Sequence, residues 1–221
     1  MIEFERSKVF GWETAIRGMR NPLNSWDKID SCFCTNEPAC EGCCSVRIGE
    51  KDYDLMKRLC NGRADDRKFM RMLIVTVDIT APLYWWKEFD TYKVGTVANS
   101  CSTMHTIHTK PFKLDDFSHE HLTDISGAVL LQTIGTLNMY RELYNNSSIV
   151  RTPEQKKDCW YQMIQLLPSS YNQKRTVLLN YEVLTNMFRA RKNHKLNEWR
   201  DFCDWVLRLP YAELITISAR K

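Results

Sequence analysis

The sequence contains no apolar run approaching the roughly eighteen residues of a membrane-spanning helix, so no such helix is expected. Its opening, Met1-Ile2-Glu3-Phe4-Glu5-Arg6, lacks the apolar segment of a secretory signal. There is no basic stripe either. The net charge of +4 is mild and spread along the chain, which argues against a nucleic-acid groove. No G-x-S-x-G elbow presents a nucleophilic serine, and neither a phosphate loop nor a dinucleotide fingerprint occurs. Repeats, low-complexity segments and linkers are also missing. What is there suits a single domain over residues 1–221, with 43% hydrophobic and 26% charged residues providing for a core.

Nine cysteines without a leader point to a reducing compartment, so a cytoplasmic location is expected. Cys32, Cys34, Cys40, Cys43 and Cys44 crowd into one aperiodic stretch within a loop at about 21–49. Four thiolates at such separations can make a tetrahedral metal site, and a loop of that length needs a staple. The spacing is not a pair of CxxC units, so a loop of free thiols is the competing reading and no metal ligand is assigned. Cys60, Cys159 and Cys203 read as small core residues. Cys101 lies in a polar loop.

Along the chain, Ile2 to Phe10 reads as a strand, and Trp12, Ile16 and Met19 are spaced for one helix face. Lys51 to Leu59 reads as a helix, and Met72 to Ile79 as a buried strand. Pro82 opens a short aromatic helix through Phe89, and Tyr92 to His105 reads as a loop. The second half reads as helices over Leu122–Tyr144, from Thr152 to Leu167, over Arg175–Arg191 and over Leu196–Leu207. Thr152-Pro153-Glu154-Gln155 is a capping box. The class is α+β: a small central sheet with a predominantly helical second half.

The unit around Thr91–His105 resembles the flavin-dependent thymidylate synthase (ThyX) family. There a strand runs into an Ala-Pro step, a helix follows, and then the signature RHRxxSxNExSxRY. Here Val75–Thr80 runs into Ala81-Pro82, and Thr91-Tyr92-Lys93 stands in the place of Arg-His-Arg. Val94-Gly95-Thr96 matches x-x-Ser. After one extra residue, Asn99 and Ser102 match outright within Asn99–His105. Downstream, Leu167-Pro168 is followed by Asn180-Tyr181-Glu182-Val183-Leu184 over Asn-x-Arg-Ser-Leu, and Arg191 falls in register with a nucleotide-contacting arginine. The resemblance covers roughly residues 50 to 207. It implies a homotetramer with shared active sites, FAD as hydride carrier, dUMP or a related pyrimidine nucleotide as substrate, methylenetetrahydrofolate as carbon donor and NADPH as reductant. It also implies cofactor-binding roles for Tyr92, Lys93, Thr96, Asn99 and Asn180, and catalytic roles for Ser102 and Arg191.

The departures have a physical cost. Phosphate and pyrophosphate are anions best held by bidentate guanidinium groups. Thr91, Tyr92 and Met104 stand where Arg, His and Arg are expected, and Glu182 replaces an arginine. Losing one partner of a buried charged contact costs about 2–5 kcal/mol. A non-catalytic nucleotide-binding or regulatory protein on the same fold is therefore the first alternative to a methylase. A metal-stapled interaction protein is the second. Tyr84, Trp85, Trp86 and Phe89 read as core aromatics in preference to a ligand platform. His105, His108, His119 and His121 lack a supporting carboxylate spacing for metal binding, and His108, His119 and His121 are expected at the surface.

Overall fold

A computed structural model of the protein describes residues 2–33 and 46–219. Among these residues the chain forms four strands and nine α-helices, an α+β architecture. The strands are β1 (Glu3–Phe10), β2 (Ile74–Pro82), β3 (Val97–Ser100) and β4 (Asn172–Asn180), in the sheet order β1-β2-β4-β3. The chain divides into two compact units. The first holds the residues through Glu3, Asp78–Thr91 and Ala98–Thr176. The second holds Phe4–Val77, Tyr92–Val97 and the chain from Val177 onward.

In the second unit α1 (Trp12–Arg20) and α2 (Glu50–Cys60) precede β2, and α7 (Tyr181–Arg191), α8 (Asn197–Leu207) and α9 (Glu213–Ser218) close the chain. Trp12, Ile16 and Met19 are all buried, as their helical spacing requires. Tyr181, Trp199 and Phe202 are likewise enclosed. The loop after α1 is held by a reciprocal carboxylate clasp. Asp52 accepts from Arg20 Nε at 2.6 Å and from the backbone N–H groups of Asp30 and Ser31. Asp30 accepts in return from the N–H groups of Lys51 and Asp52 at the start of α2. That satisfies donors a helix start leaves open. Cys32 pairs with Arg47 in an isolated antiparallel bridge. Cys34, Cys40, Cys43 and Cys44 lie outside the described residues.

In the first unit α3 (Leu83–Phe89) follows the Ala81-Pro82 step, and α5 (Asp124–Asn145) packs on α6 (Pro153–Leu166). The core between them is built from Leu130, Ile134, Leu137 and Met163 with Phe112 and Phe117. Thr152 and Gln155 form the capping box at α6, with Pro153 in its first turn. Trp85, Trp86 and Phe89 are almost wholly buried, with Trp86 edge to face against the other two, so these three aromatics of α3 are core; Tyr84 is half-buried.

Two segments depart from the expected pattern. Arg175–Arg191 is not one helix: its first part belongs to β4 and only Tyr181–Arg191 is helical. The helical reading puts Val177 and Leu178 on the same side. In the strand they point oppositely, with Val177 and Leu179 fully buried and Leu178 exposed. Two buried aliphatic side chains contribute about 1.5–3 kcal/mol each, enough to outweigh a weak helical pattern. The second departure is Tyr92–His105, which is not all loop. It contains β3 and a single helical turn, α4 (Thr103–Thr106).

Candidate functional site

The residues singled out from the sequence fall into two groups, one in each unit. Tyr92, Lys93, Thr96, Asn180 and Arg191 belong to the second unit, and Asn99 and Ser102 to the first.

The second-unit group is organised around Arg191, in the last turn of α7. Its Nε donates to the Tyr92 hydroxyl at 2.8 Å. Its guanidinium lies 4.5 Å from the Trp199 ring centroid and 5.5 Å from that of Tyr92. The two rings meet at 6.1 Å with an edge-to-face tilt. A guanidinium between aromatic faces gains cation–π attraction and loses rotamer freedom, so Arg191 is pre-oriented. Thr96 Oγ1 donates to the Tyr92 carbonyl, tightening the turn that carries Tyr92. Lys93, next to it, is exposed.

Asn180 is 9% exposed and caps α7: its Oδ1 accepts from the Val183 N–H at 3.0 Å. The loop meets this cap at Gly95, whose φ is +75°. A Cβ there would sit 3.0 Å from both Asn180 Nδ2 and Val183 Cγ2. Glycine is favoured at that position both by the left-handed backbone and by the close approach. Glu182, the residue standing for a family arginine, is buried and paired with Arg67, whose Nε lies 2.9 and 3.2 Å from its two carboxylate oxygens. The reversed charge therefore has an internal partner.

In the first unit Ser102 caps α4, its Oγ accepting from the His105 N–H at 3.2 Å. Asn99 sits on β3 and is exposed. The segment is tied to β4: Cys101 N–H donates to the Lys174 carbonyl and Gln173 Nε2 to the Cys101 carbonyl, both at 2.9 Å. Ser102 opens onto a cavity of about 640 Å³ that also touches Thr103, Lys110, Lys113 and Lys174. A second cavity of about 380 Å³ is bordered by Glu3, Asp115, Asp116, His119 and Glu120.

Sequence reasoning did not find Gln173 and Arg175. Arg175 lies 4.2 Å over the Trp86 ring, forms an ion pair with Asp90 at 2.8 Å and donates to Gln173 Oε1 at 3.0 Å. Trp86 Nε1 donates to the Gln173 carbonyl at 2.9 Å. A strand reading of 172–180 would have exposed this, because Gln173 and Arg175 then share a face. Trp199 was not singled out in sequence, because its contact with Arg191 has no signature there.

The buried cysteines belong to the core. Burial pushes the Cys60 thiol up to about 11 and the Cys203 thiol up to about 12. Cys60, Cys159 and Cys203 are buried and Cys101 is exposed. His105 and His121 are exposed. His108 and His119, expected at the surface, are half-buried: the first packs on Tyr144 at 4.5 Å, and the second has Nδ1 2.8 Å from the Phe117 carbonyl. Among the described residues no group of three or more His, Cys, Asp or Glu side chains is placed to hold a metal ion. Nor is any described helix long and apolar enough to cross a membrane.

Comparison with protein-family models finds no match, and no curated protein matches the sequence. Solved structures do match in fold. The structure of thymidylate synthase X from Helicobacter pylori with FAD and dUMP aligns with a TM-score of 0.65 at 16% identity, covering 100% of both chains. The flavin-dependent thymidylate synthase ThyX of the same organism, complexed with FAD and dUMP, aligns with a TM-score of 0.63 at 16% identity over 97% of each chain. At that identity the likeness establishes a ThyX-like fold.

Proposed function

We propose that this protein binds a flavin and a pyrimidine nucleotide on a ThyX-like fold and acts as a divergent thymidylate synthase-like methylase of dUMP or a related nucleotide. One observation carries the reading. The two stretches that resemble the family signature meet through the 2.8 Å hydrogen bond from Arg191 to Tyr92, 99 residues apart in sequence. Fold likeness over the whole chain to enzymes crystallised with FAD and dUMP supports it. The residues offer what such ligands need in kind: positive charge from Lys93 and Arg191, and polar side chains from Tyr92, Thr96, Asn99, Asn180 and Ser102. These residues would hold and orient the ligands, while bound FAD supplies the hydride chemistry. Methylenetetrahydrofolate as carbon donor, NADPH as reductant and a homotetrameric assembly complete the proposal.

The second reading is a nucleotide-binding protein without catalysis. It is favoured by the internal engagement of the site: Asn180 Oδ1 caps a helix, and Glu182 holds Arg67 where the family has a flavin-contacting arginine.

The test is direct. The purified protein is titrated with FAD, followed by absorbance and flavin fluorescence, and with dUMP, followed by calorimetry; its gene is expressed in a thymidine auxotroph. Saturable FAD binding with rescue of growth supports the methylase. Binding of FAD and dUMP without rescue selects the second reading, and binding of neither ligand refutes both.

A further inference from the structure

The two cavities of the first unit carry opposite charge. The smaller one is bordered by Glu3, Asp115, Asp116 and Glu120. The larger is bordered by Lys110, Lys113 and Lys174 against Asp116 alone. Asp116 Oδ2 is already engaged, accepting the Lys113 backbone N–H at 2.7 Å. An anion entering this unit is therefore drawn to the larger cavity and repelled by its neighbour.

The wall carrying the first two lysines is built, not incidental. The irregular stretch from His108 to Lys113 is pinned to α5 at two points. Asn138 Oδ1 accepts from the Phe112 N–H at 2.8 Å and its Nδ2 donates back to the Phe112 carbonyl at 2.9 Å. About two turns further along, Asn145 Nδ2 donates to the His108 carbonyl at 2.9 Å. Phe112 itself is 6% exposed and anchors the stretch in the core. The opposite wall, with Lys174, is fixed to Cys101–Ser102 through the two hydrogen bonds to the Cys101 backbone. Between the walls the hydroxyl-bearing Thr103, Thr106 and Thr109 border the cavity.

Ammonium groups act as point charges approached from any direction. The Thr106 and Thr109 hydroxyls already donate to the Ser102 and Thr106 carbonyls, so the lysines carry the attraction. That chemistry suits a tetrahedral phosphate. The volume of about 640 Å³ exceeds what phosphate alone fills and lies within the range of about 300–1,000 Å³ typical of small-molecule sites. Ile107, Phe112 and Tyr171 supply an apolar border for an organic group.

We infer that this cavity binds a phosphate monoester, with Lys110, Lys113 and Lys174 around the phosphate. The inference rests on the nucleotide reading only for the identity of the ester. It also accounts for the missing guanidinium groups of the Thr91–His105 stretch, since the charge is supplied by lysines that no signature motif contains.

The experiment is calorimetric titration with dUMP, deoxyuridine and inorganic pyrophosphate, on the full chain and on three single variants, Lys110→Gln, Lys113→Gln and Lys174→Gln. The triple variant and, as a control on α2, Lys57→Gln complete the set. Melting curves confirm that each variant is folded. Each single substitution is expected to weaken dUMP by about twofold to fivefold, the span of exposed ion pairs, with the losses compounding in the triple variant. Deoxyuridine should bind more weakly than dUMP and be indifferent to the lysines. Raised salt should weaken dUMP binding to the parent protein more than to the triple variant. If pyrophosphate binds through the lysines while dUMP does not bind, the anion site stands and the nucleotide reading falls. If dUMP binds equally well to the triple variant, the nucleotide reading stands and the anion site falls. No binding of either anion to the folded parent protein overturns the inference.

Discussion

Glu182 is the residue whose perturbation separates a lost ligand contact from a rebuilt interior. Resemblance to the flavin-dependent thymidylate synthases puts an arginine at this position. Here the carboxylate is paired with Arg67, and the two side chains are 11% and 9% exposed, so solvent screens the pair little. Removing one partner leaves the other charge buried, at a cost of about 3–5 kcal/mol. For a chain of this length 1 kcal/mol moves Tm by about 2–4 °C, so Glu182→Gln should lower Tm by about 6–20 °C, toward the lower end because the amide keeps a hydrogen-bond acceptor. Glu182→Arg sets two guanidinium groups against each other and should cost at least as much. The double substitution Arg67→Met with Glu182→Leu should be far milder than either single change, because no charge is left without its partner. Circular-dichroism melts measure all three, with an FAD titration on each variant. The reasoning is refuted if Glu182→Arg melts with the parent protein and binds FAD more tightly. That result would make the position a vacated ligand contact whose arginine can simply be restored.

Asp30 should make the loop clasp acid-labile. Burial raises its pKa, but the N–H groups of Lys51 and Asp52 outweigh that and hold it below the usual carboxylate range. The stabilisation is therefore complete above the unfolded value of about 3.9 and is lost as pH falls through the lowered folded value, so the Tm gap between the parent and Asp30→Asn should close in acid. A gap independent of pH contradicts this. Thiol labelling at pH 8 should modify the exposed Cys32 and Cys101 and spare Cys60 and Cys203 until the protein unfolds, and early labelling of either would disprove their enclosure. Finally, α5 carries no charged residue from Ile125 to Tyr140, while Leu131 and Met139, four residues either side of Gly135 and so on its face, are 55% and 48% exposed. If a second copy covers that face, Gly135→Leu should reduce the assembly mass in light scattering. A Cβ at Gly135 meets nothing within 4 Å of its own chain, so the fold should hold or gain up to about 1 kcal/mol of helix propensity. An unchanged mass argues that the face stays open.

Much of the fold was legible because burial follows periodicity. Trp12, Ile16 and Met19 announce α1, and Thr152–Gln155 announces the start of α6 with its cap. β4 was not legible. Asn172–Asn180 reads Asn-Gln-Lys-Arg-Thr-Val-Leu-Leu-Asn, and only Val177 and Leu179 show the two-residue alternation cleanly. Gln173 is buried by pairing with the Cys101 carbonyl, and Arg175 is held by Trp86 and Asp90. Polar residues satisfied by distant partners carry no local signal, so the strand looked like the polar start of a helix. The candidate site divides in the same way. Arg191 and Tyr92 could be nominated by register, whereas the ring contact of Trp199 and the grouping of Lys110 and Lys113 with Lys174 exist only in the fold.

The two motif-like stretches are joined by packing, which bears on whether the Thr91–His105 segment is a decayed signature or a working frame. A segment released from selection would keep no contact that demands a particular residue. Gly95 is such a demand. Its φ of +75° is disfavoured by about 1–2 kcal/mol for a residue with a Cβ, and the added atom would press on Asn180 Nδ2 and Val183 Cγ2 at 3.0 Å. Asn180 must stay where it is to cap α7, the helix that carries Arg191. The turn, the cap and the guanidinium are therefore coupled. Gly95→Ala should cost more than the backbone term alone, and Asn180→Ala about 1 kcal/mol for the lost cap. The Asn180→Ala change also removes the amide that the alanine methyl would press on. In a double-mutant cycle the two losses should consequently be less than additive. Strict additivity would mean that loop and cap are independent, and that the register between Thr91–His105 and Asn180 is not maintained by contact.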